Sequence, residues 1–167
     1  MLINPNKFNK NILVGLDLDL VDELKNNNIK IIGYTSDKIK KCNFKYLGSI
    51  KNQMKINKDT GLLLCDHDFK LKKYVYKKYK KIICTFISKK ATVPNLNNIG
   101  KGSIVQSNVF LSQNTKIGKC VKINVGSQLH HDVAVGDYSI FGPGCIVLGN
   151  TTIEQNCFIG SSAVIRN

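Results

Sequence analysis

The chain has 167 residues, 43% apolar and 22% charged, a globular composition with room for one ordinary domain or two small ones. No run of 18 apolar residues occurs, and the opening MLINPNKFNKN lacks the apolar stretch of a signal peptide, so no membrane span is expected and a cytoplasmic location is. The formal charge of +14 would favour nucleic acid, but every basic residue except Arg166 is lysine, whereas base readers and phosphate clamps use the bidentate fork of arginine; nucleic acid is not the expected partner.

The first half alternates strands and helices. Asn11 to Gly15 reads as a strand, Asp19 to Lys25 as a short helix stopped by Asn26-Asn27-Asn28, and Ile29 to Tyr34 as a second strand. Gly61 to Cys65 is a third strand. The run from Lys70 to Lys81 has Leu71, Val75 and Tyr79 at a spacing of four with lysines on the other faces, which predicts a helix with a solvated cationic side. Lys81 to Phe86 is a fourth strand leading into the second half. Strands separated by helices imply a small parallel sheet of Rossmann type, which binds ligands at its strand C-terminal ends. The six cysteines form no C-x-x-C pair, so reduced thiols are expected.

The second half is a repeat. From Ile87 to Ile165 every sixth residue is Ile, Leu, Val or Phe, and four residues after each the side chain is mostly small or β-branched, as in Ser103, Val109, Ser127, Cys145 and Cys157. Glycine often follows the aliphatic residue, as in Ile99-Gly100 and Ile117-Gly118, where close approach or a positive φ would favour it. Helices and coiled coils need periods near 3.6 or 3.5, so this period of six marks a β-helical solenoid with both positions inward. The expected boundaries are an α/β domain over 1–86 and an all-β solenoid over 87–167. Cys145 and Cys157 fall on small inward slots and read as packing residues.

A small parallel α/β domain followed by hexads resembles the bacterial sugar acetyltransferases that act on nucleotide-activated aminosugars or sialic acids in surface-glycan synthesis. The most specific segment runs from Leu129 to Ile165: it contains His131-Asp132, Val135-Gly136-Asp137, Pro143-Gly144, Leu148-Gly149-Asn150 and Ile159-Gly160. Ile31 to Asp37 (IIGYTSD) and Tyr46 to Ser49 (YLGS) are similar to the family's second-strand and following motifs. The resemblance implies a left-handed parallel β-helix, acetyl-CoA as the acetyl donor without a metal, a nucleotide-sugar or aminosugar acceptor, and a homotrimer with sites between neighbouring solenoids. It assigns His131 as general base with Asp132 beside it, and Gly149, Ile140, Gly142 and Ser161 to the oxyanion and acetyl-CoA. Gly15, Asp37 and His67 go to the acceptor. The family's glycine-rich first turn here reads VGLDLDLVDE: Gly15 stands alone and Asp17 and Asp19 occupy the phosphate approach, so nucleotide-sugar binding is expected to be weak or to use lysines of the 38–41 run instead.

The chemistry agrees with these roles. Acetyl transfer needs a base near neutral pKa and a donor for the tetrahedral oxyanion, and the chain has three histidines, His67, His130 and His131. His131 lies in an outward slot, His130 at a corner. Asp132 would orient the His131 ring, or reach a neighbouring subunit, since adjacent strand residues face opposite ways. Three histidines converging on a metal are not available from His130 and His131 alone. The competing reading is a non-catalytic hexapeptide scaffold, favoured by Ile140 where relatives commonly carry a second histidine, by the altered first turn, and by Asn167, past which many relatives have another coil. On that reading Ile159, Val164 and Ile165 need a cover from a subunit or partner, and CoA is held weakly.

Overall fold

The computed structural model describes residues 4–37, 41–51 and 56–166. Its first half contains β1 (Lys10–Val14), α1 (Leu18–Asn26), β2 (Ile31–Thr35), β3 (Thr60–Leu64) and α2 (Phe69–Tyr79). The strands form one parallel sheet in the order β2-β1-β3, and β3 is buried throughout, as an apolar run covered on both faces should be. Asp17 caps α1, its Oδ1 accepting from Leu20 N–H at 2.9 Å. The helix stops where Asn28 takes a positive φ and Ile29 N–H returns to Leu24 C=O at 2.9 Å, which is the physical reason for the asparagine run. The expected fourth strand over Lys81 to Phe86 does not form. Ile83 makes a single bridge to Leu62, and Phe86 already pairs with Ile104 of the solenoid. With only a few residues to pass from the sheet edge into the first coil, the chain has no length left for a ladder.

The solenoid follows as β4 (Phe86–Ile87), β5 (Ile104–Val105), β6 (Phe110–Leu111), β7 (Lys116–Ile117), β8 (Lys122–Ile123), β9 (Gln128–Leu129), β10 (Ala134–Val135), β11 (Ile140–Phe141), β12 (Ile146–Val147), β13 (Thr152–Ile153), β14 (Phe158–Ile159) and β15 (Val164–Ile165). These make three parallel faces: β14-β11-β8-β5-β4, β15-β12-β9-β6 and β13-β10-β7. Each residue pairs with the one 18 later, as in Ile104↔Lys122 and Lys122↔Ile140, so three hexads make one turn of the coil. The aliphatic and small hexad positions fill the interior, from Val105 and Val109 to Cys145 and Val147, as their spacing predicts. The corners hold a column the sequence reading did not single out. Gly102, Asn108, Asn114, Cys120, Gly126, Asp132, Tyr138, Gly144, Asn150, Asn156 and Ser162 all have positive φ, one in every six residues. Glycine, Asn and Asp dominate because they tolerate that region best. The glycines after the aliphatic positions serve close coil stacking instead: a Cβ on Gly142 would lie 2.6 Å from Ser161 N.

The α/β half covers the first face. Phe86 and Ile104 share a core cluster with Leu13, Leu20 and Leu63, while Cys120 and Tyr138 share one with Ile12, Leu71 and Val75. Asp17 Oδ2 forms an ion pair with Lys122 of β8, both side chains largely buried. The lysine-rich helix is not solvated on every lysine face: Lys72 is fully buried, its ammonium 3.5 Å from Tyr138 C=O. It follows Leu71 and precedes Val75 on the face that meets the solenoid corner.

Candidate functional site

His131 follows β9 and precedes β10, so it lies on the corner between the second and third faces, with its side chain 56% exposed. Asp132 is in the left-handed region and not in a strand. The turn swings its carboxylate back, and Oδ2 lies 3.0 Å from His131 Nδ1. The other oxygen, Oδ1, accepts from Asn114 Nδ2 at 3.0 Å. Asn114 sits one coil below, 18 residues earlier, in the same backbone conformation. The two hydrogen bonds hold the Asp132 carboxyl below its usual pKa, His131 first and Asn114 second. A carboxylate on Nδ1 favours the tautomer that carries its proton there, leaving Nε2 as the free base.

One coil above, Gly149 faces the ring. A Cβ there would lie 2.5 Å from His131 Cε1 and Nε2, so only glycine leaves room for the imidazole in this position. The coil ladder uses the flanking N–H groups, Leu148 to Ile165 C=O at 2.9 Å and Asn150 to His131 C=O at 3.0 Å. Among the described residues the Gly149 N–H has no backbone partner. His131, Asp132 and Gly149 are therefore brought together.

The remaining residues assigned to acetyl-CoA are not. Gly142 and Ser161 stack on each other at the corner between the first and second faces, one side away from His131. Ile140 lies on the first face between Lys122 and Phe158 and is fully buried. Its assignment to the acetyl-CoA site is corrected accordingly: the α/β half covers its face, and it is a packing residue in this chain. His130 is half-buried at the His131 corner, edge-on to Phe110 with ring centroids 6.2 Å apart.

Gly15, Asp37 and His67 converge at the C-terminal ends of β1, β2 and β3, where a cleft of about 300 Å3 is lined by Leu16, Asp37, Asp66, His67 and Asp68. Gly15 has a φ of 90° and a Cβ there would meet Asp66 Cα at 2.6 Å, so glycine is required by the strand-end crossing alone. Asp37 pairs with Lys51 and accepts from Ser49 Oγ at 2.6 Å; Lys51 chiefly, then Ser49, lowers its pKa. His67 packs against the exposed Phe158 of β14, centroids 5.9 Å apart, and burial followed by the Lys122 charge favours its neutral form. Asp17 does not face this cleft as a bare anion, being divided between the α1 cap and Lys122. Of the 38–41 lysine run, 38–40 lie outside the described residues.

Asn114 and Lys122 are the contributors that sequence reasoning missed. Both were within reach of one operation, adding or subtracting 18: Asn114 then falls under Asp132, and Lys122 falls between Ile104 and Ile140. Among the described residues no three His, Cys, Asp or Glu side chains are grouped to hold a metal, and no helix is long and apolar enough to cross a membrane.

Residues 114–149 match the bacterial transferase hexapeptide family (six repeats), so the chain carries the hexapeptide repeats of these transferases. It is 44% identical over 68 residues to the GDP-perosamine N-acetyltransferase of Escherichia coli O157:H7, a match that covers 41% of this chain and spans about a third, 31%, of that relative. Among solved structures, the acetyltransferase domain of PglB from Neisseria gonorrhoeae FA1090 superposes with a TM-score of 0.69 at 17% identity, covering 93% of this chain and 90% of that one. PerB from Caulobacter crescentus, in complex with CoA and GDP-perosamine, gives a TM-score of 0.62 at 16% identity over 95% of this chain and 90% of its own. At such identities the likeness is one of fold.

Proposed function

We propose that this chain transfers the acetyl group of acetyl-CoA to the amino group of a nucleotide-activated sugar, with His131 as general base. The observation that carries this reading is the chain Asn114–Asp132–His131 beneath the side-chain-free Gly149, since it supplies an oriented imidazole whose Nε2 lies on the Gly149 side. The named activity of the Escherichia coli relative and the CoA and GDP-perosamine bound to PerB support the two substrates. The α/β sheet is proposed as a Rossmann-like acceptor module and the solenoid as left-handed, as in the acetyltransferase resemblance.

The amine nitrogen attacks the thioester carbon as His131 Nε2 takes its proton. The carbonyl oxygen gains negative charge, and the Gly149 N–H, which has no backbone partner among the described residues, is the proposed donor to it. The tetrahedral intermediate then expels the CoA sulfur, which leaves with the proton from the imidazolium. The acetyl group moves directly, and no cysteine is needed as a carrier: Cys145 is sealed in the coil, and burial raises its thiol pKa.

The fold also supports assembly. His131 is on the corner opposite the face that the α/β half covers, so one chain cannot bring its own strand-end cleft to its own His131. On this reading a neighbouring copy supplies the cleft, in the homotrimer that the acetyltransferase resemblance implies. Thiol release from acetyl-CoA with GDP-perosamine as acceptor tests the activity. Replacing His131 by Ala is expected to lower turnover by roughly two to four orders of magnitude while the melting temperature holds, because the side chain is exposed. No thiol release by the unaltered chain with any nucleotide-linked aminosugar would leave the scaffold reading standing. Light scattering that gave a monomer at micromolar concentration would remove the shared site.

A further inference from the structure

The lysine-rich helix has a face that acetyl transfer does not use. α2 turns Leu71, Lys72 and Val75 inward and leaves Lys70, Lys73, Tyr74, Lys77 and Lys78 exposed, with Lys81 just past its end, in one stripe at spacings of three and four. The helix of 11 residues makes that stripe roughly 16 Å long. No Asp or Glu occurs between Asp68 and Asp132, and none of these lysines forms an ion pair among the described residues. Lys73 and Lys78 find only tyrosines: Lys73 lies 5.5 Å from the Tyr138 ring, and Lys78 lies 5.5 Å from Tyr74 and 5.3 Å from Tyr79. Lysines four apart, such as Lys73 with Lys77 and Lys77 with Lys81, repel each other. Lys77 and Lys78 complement the C-terminal end of the helix dipole, a reason that the rest of the stripe lacks.

Lysine-rich composition does not account for this arrangement. The two helices cover opposite faces of the sheet: Leu20 and Leu24 of α1 join Leu13 of β1, whereas Leu71 and Val75 of α2 join Ile12 and Val14. α1 carries Asp19, Asp22 and Glu23 against the single Lys25. Composition acting alone would put both signs on both helices, but one side of the sheet is acidic and the other basic. The basic field reaches the first coil, where burial and then the Lys80 charge lower the pKa of Lys101.

At the C-terminal end of the stripe is a groove of about 370 Å3, with Ile56, Tyr79 and Ile82 as apolar walls and Lys58 and Lys80 joining the stripe at its rim. Ammonium groups around an apolar floor match phosphate headgroups above the first methylenes of acyl chains, and tyrosine is at home at that depth. A nucleic-acid duplex offers phosphates without an apolar layer, and its clamps use arginine, which α2 lacks. We infer that α2 docks this chain on a bilayer of anionic phospholipid through its outer stripe and this groove. The His131 corner stays open in that position. The inner side of α2 meets Cys120 and Tyr138, at the corner between the third and first solenoid faces, whereas His131 is on the corner between the second and third. The docking does not depend on the acetyl-transfer reading.

The test is sedimentation of the full chain with vesicles of phosphatidylcholine alone or with about one-third phosphatidylglycerol, at about 0.1 M salt. Binding is expected only to the anionic vesicles, with release at about 0.5 M salt. The combined variant Lys73→Gln, Lys77→Gln and Lys78→Gln should bind about a hundredfold more weakly, at about fivefold per lysine. The variant Lys30→Gln, Lys89→Gln and Lys90→Gln has the same net charge but leaves the stripe intact, so it should lose no more than about twofold by the loss of distant charge alone. No binding of the unaltered chain to anionic vesicles would overturn the inference, as would binding that survives the higher salt or an equal loss in the two variants. A gel shift with duplex DNA at the lower salt covers the other polyanion: DNA bound more tightly than the vesicles, and lost in the stripe variant, would assign the face to nucleic acid and refute the bilayer.

Discussion

The position of the His131 ring is set by three residues that belong to three successive coils. Asn114 fixes one Asp132 oxygen, Asp132 fixes Nδ1, and Gly149 supplies space in which Nε2 remains open. Gly149 is absent from the positive-φ positions, so alanine is compatible with its backbone and the effect of a methyl is confined to contact. Gly149→Ala puts that methyl 2.5 Å from two ring atoms. The ring must tilt, and turnover is expected to fall on the order of a hundredfold, as small misplacements of reacting groups do, with little change in melting temperature. Retention of full activity in thiol release would show that the observed ring position is not the working one. His131, Asp132 and Gly149 were legible from local motifs because they fall within one continuous segment. Asn114 was not, because its partner is 18 residues away and the hexad pattern concerns which residues point inward, not which corner residues stack.

Between elements, the decisive contact is the Asp17–Lys122 pair. Lys122 occupies an outward hexad slot, which in an uncovered solenoid would be solvated. Its neighbours on the same face, reading every eighteenth residue, are Phe86, Ile104, Ile140 and Phe158, all large and apolar. That row announces a covered face, but six-residue reading spreads it across the sequence, so the α/β half was expected as a separate domain and its docking surface went unseen. Asp17→Ala leaves an ammonium with only 3% exposure unpaired and removes the α1 cap. The expected cost is about 3–5 kcal/mol in urea denaturation. Asp17→Asn with Lys122→Met, which keeps a capping side chain and removes the charge, should recover most of it. A loss under about 1 kcal/mol for Asp17→Ala would mean that water reaches the pair.

For the whole molecule, the seam between the halves also makes stability depend on pH. Lys72 lies in that seam, and burial pushes its pKa down to about 8 from an ordinary 10.5. Cys120 and Cys65 adjoin it, and Lys122 and Asp66 are the nearest charges. A lysine with a depressed folded pKa binds fewer protons in the native state than in the unfolded one above pH 8, so its contribution to stability rises with pH through the window from about 8 to 10.5. Cys65, Cys84 and Cys120 act oppositely. Burial raises their pKa to about 12 from 9.0, so the native state holds protons that the unfolded chain releases, and stability falls as pH rises above 9. Stability from these groups is therefore expected to rise from pH 7.5 to about 9 and then to decline. Lys72→Met should be more stable than the unaltered chain at pH 7 and should lack the initial rise. Parallel denaturation curves for the two proteins across pH 7–9 would show that Lys72 does not lose its proton in the native state.

The constant pairing of each residue with the one 18 later also governs which changes of length the chain can absorb. Removing one residue from the solenoid reverses inward and outward for everything downstream. Removing six keeps that alternation yet moves every later corner round by one side, carrying Gly149 away from His131 and the apolar row away from the α/β half. Only a deletion or duplication of 18 residues returns all three faces to their own ladders, and even that separates His131 from Asn114 or Gly149 if it falls between them. Insertions that leave the coils in register must bulge outward at a corner, so loops of new sequence can be added there while the hexads themselves are inherited as whole turns.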